Sequence, residues 1–170
     1  NFAEAEKFLG RAMELSPQKQ AMRFANLLNY IQLKKNAEAL KLAEETYLLD
    51  TQYDQSKIHY AVALIYNGKS AEADALLKDK PELADNQMIL QAYVAMKEYS
   101  KALPLFLAKE KRQPQNIGTK VSIAAIYMKQ NRRADAIRVL QSIAAIDPNL
   151  KSQITSWIAD INAGKNPVQD

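Results

Sequence analysis

Residues 117–148, IGTKVSIAAIYMKQNRRADAIRVLQSIAAIDP, hold two apolar-faced stretches on either side of the polar turn Gln130-Asn131-Arg132-Arg133, and a proline closes the second. Ala124 and Tyr127 precede Ala136 by twelve and nine residues, Leu140 follows it by four, and Pro148 by twelve. Residues three or four apart share one helical face, so the pattern predicts a first helix, a short turn and a second helix crossing the first at a small side chain. Proline then ends the second helix where its missing N–H costs least.

The same spacing runs outward through the chain. The alanine recurs as Ala5, Ala39, Ala73, Ala102 and Ala136, at intervals of 34, 34, 29 and 34 residues. Four residues later stand Leu9, Ala43, Leu77, Phe106 and Leu140, and nine residues earlier Tyr30, Leu64, Tyr93 and Tyr127. Twelve residues before the alanine lie Leu27, Ala61, Leu90 and Ala124. Pro17, Thr51, Pro114 and Pro148 occupy the closing position, with Pro81 arriving early. The predicted turns, around Lys34-Lys35-Asn36, Asn67-Gly68-Lys69-Ser70, Met96-Lys97-Glu98-Tyr99 and Gln130 to Arg133, are polar or glycine-bearing. A fixed period of this length is the mark of a helical repeat array. The short interval places a five-residue deletion around 77–86, where regularity should falter.

Composition agrees with helices throughout. Of 170 residues 48% are hydrophobic, while glycine occurs 4 times and proline 6 times, so few breakers interrupt the pattern. We expect an all-α single domain with a half-repeat at 1–17, repeats at about 18–51, 52–81, 82–114 and 115–148, a capping helix at 149–164 and a tail at 165–170. In the cap, Ile154, Trp157, Ile158 and Ile161 form one apolar stripe, and Gly164 fits a helix C-terminus. The first residue is Asn1 and no charged-then-apolar leader follows, from which we expect an excised part of a longer protein.

The pattern resembles the tetratricopeptide repeat (TPR), a helix-turn-helix unit of about 34 residues. That resemblance covers residues 1 to 148 and implies a right-handed superhelical solenoid that binds protein or peptide on its concave face without catalysis or cofactor. The tryptophan often found near the start of the unit is missing from every copy. Ligand-lining positions of the family fall on Ala21, Phe24, Leu28, Ile31 and Gln32, then Gln55, Ile58, Val62, Ile65 and Tyr66. They continue through Ala84, Gln87, Gln91, Val94 and Ala95 to Gly118, Val121, Ala125, Met128 and Lys129. The lysine, asparagine and arginine with which chaperone-binding members clamp a carboxylate are absent. The implied groove is therefore apolar at its ends and amide-rich between, suited to an apolar segment or amphipathic helix. We take Phe24, Leu28, Ile31, Ile58, Val62, Ile65, Tyr66, Gln87, Gln91, Val121, Ala125 and Met128 as its lining. The run from Tyr127 to Pro148 and the helix after it, ending in Ala163-Gly164-Lys165-Asn166-Pro167, are similar to TPR tails of bacterial O-antigen ligase or polymerase-like membrane proteins. That similarity implies an envelope-associated appendage whose chemistry lies elsewhere.

Other chemistries find little support. Cysteine is absent, which removes disulfides and thiolate sites. The only histidine, His59, has no acidic residue at ligand spacing on its helix and reads as a surface or groove polar residue. Gly68-Lys69-Ser70 has the end of a phosphate loop, but Ala63 stands where its first glycine belongs. A net charge of +4 without a basic stripe interleaved with aromatics argues against nucleic acid, and no stretch is long enough to span a bilayer. Lys34, Lys35, Lys69, Lys97, Arg132 and Arg133 gather at turns, diluted by Glu38, Glu72, Glu98 and Asp135, and read as solvated surface. The unpaired first helix, with Phe2, Phe8, Leu9 and Met13, is expected to seek a partner, either upstream sequence or another copy in a homo-oligomer.

Overall fold

The computed structural model describes residues 2–15 and 19–167, without side-chain detail at 2, 3, 6, 13 and 14. Pro17 and the end of the tail, 168–170, lie outside the described residues, as do the side chains of Phe2 and Met13. Among the described residues there are ten α-helices and no strand. They are α1 (Phe2–Leu15), α2 (Gln20–Gln32), α3 (Asn36–Leu49), α4 (Asp54–Tyr66), α5 (Ser70–Leu76), α6 (Gln87–Ala95), α7 (Tyr99–Arg112), α8 (Ile117–Lys129), α9 (Arg133–Ile146) and α10 (Lys151–Asn162). The chain divides into two compact units, Asn1–Met96 and Lys97–Asp170.

The recurring alanines set the packing in both. Ala39, Ala73, Ala102 and Ala136 are each 0% exposed, and so are Leu27, Ala61, Leu90 and Ala124 twelve residues earlier. In the first unit α2 packs between α1 and α3, and α4 meets α2, α3, α5 and α6. In the second, α8 packs between α7 and α9, and α10 lies against α9. Ile154 and Ile161 of α10 are buried, while Trp157 and Ile158 are half-buried.

Every turn inside a repeat is made by one residue with positive φ: Lys34 at 59°, Gly68 at 72°, Lys97 at 60° and Asn131 at 59°. Left-handed backbone reverses the chain while satisfying the last carbonyls of the helix before it. The Lys35 N–H reaches Tyr30 O, the Lys69 N–H Leu64 O and the Arg132 N–H Tyr127 O, at 2.8, 2.9 and 2.8 Å. Gly164, with φ 84°, ends α10 in the same way, through Lys165 N–H to Asp160 O. Neighbouring turns of the first unit are clasped by amides, Asn36 Nδ2 donating to Tyr66 O at 3.0 Å and Asn67 Nδ2 to Asn36 O at 2.8 Å.

The deletion has a definite outcome. The second helix of the 52–81 repeat does not run to Pro81: α5 has 7 residues, against 14 in α3. Two lysines hold the segment that replaces its missing half. Lys57, buried on α4, donates to both Asp79 carboxylate oxygens at 3.0 and 2.7 Å, and Lys80 pairs with Asp54 at the start of α4. Pro81 then opens a short 3-10 turn, Pro81–Asp85, and the Asn86 side chain caps α6 through the Met88 N–H at 2.9 Å.

Candidate functional site

The first unit presents an aromatic cluster on α2 and α4. Phe24 stacks on His59 with ring centroids 4.1 Å apart and planes 7° from parallel, and Tyr53 tilts against Phe24 at 6.3 Å. His59 is 3% exposed, so the surface reading of this residue is corrected: the Phe24 ring covers one face of it. Its Nδ1 lies 2.7 Å from Gln55 O. A carbonyl can only accept, so Nδ1 carries the proton and the neutral ring keeps Nε2 as an acceptor. Burial holds the imidazole below its ordinary pKa, opposed in part by the bond to Gln55 O.

Of the sequence-derived lining, Ile31, Ile58, Val62 and Ile65 are core residues, at 8, 4, 2 and 0% exposure. Burial of the three on α4 follows from the packing of that helix against four others, so the apolar side that faces a groove in the repeat pattern is covered there. Phe24 and Tyr66 are half-buried, Leu28 is 38% exposed, and Gln87 and Gln91 are exposed on α6. Desolvation also raises the Tyr66 phenol above its ordinary pKa. Around the expected groove of the first unit, the apolar surface left open is therefore Phe24, Leu28 and Tyr53, with the amides of α6 as a separate polar strip. Tyr53, 43% exposed just before α4, was missed because it lies outside the repeat signature. In the second unit Val121, Ala125 and Met128 are half-buried along α8, between exposed Gly118 and Lys129.

Two of the basic turns carry a local acid. Lys69 pairs with Glu72 at 3.2 Å, and Arg132 pairs with Asp135 at 2.8 Å while its guanidinium lies 4.4 Å from the Tyr127 ring centroid. Among the described residues no three His, Asp or Glu side chains are grouped to hold a metal ion, and no helix is long and apolar enough to cross a membrane.

Helix pairs on a recurring frame, with a buried alanine in the second helix of each and a left-handed residue at each turn, define a helical-repeat fold. Comparison with solved structures specifies the repeat. A MamA structure aligns over 86% of this chain and 84% of its own, with TM-score 0.54 and 19% identity. A second MamA structure gives TM-score 0.54 at 15% identity over 89% of this chain and 85% of its own. YrrB, described as a TPR protein with an unusual peptide-binding site, gives TM-score 0.51 at 17% identity over 86% of this chain and 78% of its own. The fold is thus that of a TPR array. No protein-family model and no curated protein matches the sequence. None of these three likenesses is to an O-antigen assembly protein, so the resemblance to their tails finds no support in them.

Proposed function

We propose that this chain is a non-catalytic scaffold that holds a peptide or helix of a protein partner. The carrying observation is the aromatic platform of the first unit, where Leu28, one turn after Phe24 on α2, and Tyr53 leave apolar surface open beside a stacked Phe24–His59 pair. Burying such a surface contributes roughly 25 cal/mol per Å² before ordering costs, which suits an apolar or amphipathic segment. The peptide-binding site of a protein with the same fold gives this reading independent support.

Substitutions at Ile58 or Val62 do not test it, because a carboxylate there is buried and unfolds the unit. Leu28→Glu and Tyr53→Glu do, since both side chains are open. A displayed peptide library selected on the wild-type chain should yield apolar segments that lose at least ten-fold in affinity on either variant, with melting temperature unchanged. Selected peptides that bind both variants as tightly as wild type would overturn the assignment of this face. Neutralising Lys34 and Lys35 should leave binding intact, and its loss there would move the site to the turn edge.

A further inference from the structure

We propose that the partner segment seats a tryptophan on the aromatic platform and donates its indole N–H to His59 Nε2. This assignment rests on the platform reading above and adds the group that orients the bound side chain. It starts from the wiring of the imidazole. His59 Nδ1 is 2.7 Å from Gln55 O, one turn earlier on α4, while the Gln55 side-chain nitrogen is more distant, at 3.5 Å. The shorter contact, to an atom that can only accept, places the proton on Nδ1 and leaves Nε2 a lone pair. Among the described residues no donor reaches that lone pair. His59 is 3% exposed as a residue, yet Nε2 itself keeps contact with solvent. An imidazole lone pair lies in the ring plane, and the Phe24 stack, 4.1 Å away and 7° from parallel, fixes that plane. A donor therefore arrives edge-on, beside the Phe24 ring and not over it.

The surroundings of Nε2 select the donor. Phe24, Leu28 and Tyr53 offer apolar surface to the body of a bound side chain. Covering an acceptor without pairing it costs free energy, so a ligand that supplies a donor gains where a purely apolar one does not. An ammonium is ill-suited, because it brings a charge and three donors, and Asp54, the acid next to Tyr53 in the chain, is engaged by Lys80. A tyrosine hydroxyl brings lone pairs of its own. An indole has one donor, no acceptor and the largest apolar body of any side chain, which matches one acceptor set among apolar residues.

Two small probes separate the donor from the ring that carries it: indole, and 1-methylindole, in which a methyl group replaces the N–H hydrogen. Each is titrated to millimolar concentration into the isotope-labelled full chain while side-chain resonances of Phe24, Leu28, Tyr53 and His59 are followed. Indole should bind about five-fold more tightly than 1-methylindole, the worth of one net hydrogen bond, and should shift the Nε2 nitrogen resonance while Nδ1 stays protonated. On His59→Phe, which keeps a ring against Phe24 and has no acceptor, the two should bind equally. That comparison also removes the bulk of the methyl group as an explanation, because bulk acts on both chains. Equal affinities on the wild-type chain, with Phe24, Leu28 and Tyr53 shifted by both compounds, would leave the platform standing and overturn the tryptophan assignment. A preference that survives His59→Phe would overturn it too, and so would an Nε2 resonance unmoved by indole. If neither compound shifts Phe24, Leu28 or Tyr53, the platform reading fails and this one falls with it.

Discussion

The α4–α5 repeat and the α8–α9 repeat follow one sequence pattern and reach it by different means. Both bury a lysine sixteen residues before the recurring alanine, Lys57 at 4% and Lys120 at 6% exposure. Lys57 pairs with Asp79, which sits in the segment replacing the lost half of α5. Lys120 pairs with Glu110 near the end of the preceding helix, α7. In these two repeats the same place holds a buried cation, and its partner comes from whichever neighbouring segment is near. The two carboxylates differ in shielding, with Asp79 64% and Glu110 23% exposed. One pair is a latch open to solvent, the other a bridge largely withdrawn from it.

Breaking the bridge should therefore have the largest effect. Glu110→Ala leaves Lys120 buried without its carboxylate, and we expect a loss of about 3 kcal/mol in denaturant unfolding of the second unit. Asp79→Ala should cost less, because water replaces the lost oxygens, and added salt should weaken the wild-type latch while hardly touching the Lys120 pair. Equal costs for the two variants would show that burial does not separate them.

The shared alanine is next in size. Ala136 is 0% exposed between two full-length helices, so Ala136→Leu should overpack the crossing and cost about 2 kcal/mol. Ala73→Leu lies on a helix of only 7 residues, which can shift, and should cost less. An unchanged melting temperature for Ala136→Leu would refute the register itself.

Smaller still are the turns. Gly68→Ala puts a side chain on backbone with φ 72°, and although its Cβ meets no atom within 4 Å, the conformation alone should cost about 1 kcal/mol. Lys34→Gly relieves the same conformation at φ 59° and should gain about 0.5–1 kcal/mol. Opposite signs from these two substitutions would sharpen the repeat comparison, and equal signs would break it.

These cases mark what was legible in the sequence. The alanine positions were, because a crossing of two helices tolerates few side chains and the demand recurs in every copy. The shortening of α5 was visible as five missing residues. The turns at Lys34, Lys97 and Asn131 were placed by polarity, yet only Gly68 announced its left-handed backbone. The groove was less legible: Ile58, Val62 and Ile65 stand at lining positions by spacing, but whether such positions open to solvent depends on how closely α2 and α6 approach α4, which spacing does not encode. The Lys57–Asp79 latch and the Phe24–His59 stack are contacts between segments 22 and 35 residues apart, outside any local pattern.

That stack gives the last and smallest contrast, between a first unit with the chain's one histidine and a second unit with none. Burial lowers the His59 pKa in the folded state, so between the folded and unfolded values the unfolded chain binds more protons. Stability of the first unit should then be full above the ordinary histidine range and fall as pH drops through about 6.5 toward 5. Carboxylates contribute their own slope at the acid end of this window, and His59→Phe isolates the imidazole because it keeps an aromatic ring against Phe24 and cannot titrate. We expect chemical denaturation at pH 7 and pH 5 to show a smaller loss for His59→Phe than for wild type. Identical losses would mean that the ring is protonated as readily in the folded chain as in the unfolded one, which its burial under Phe24 does not allow.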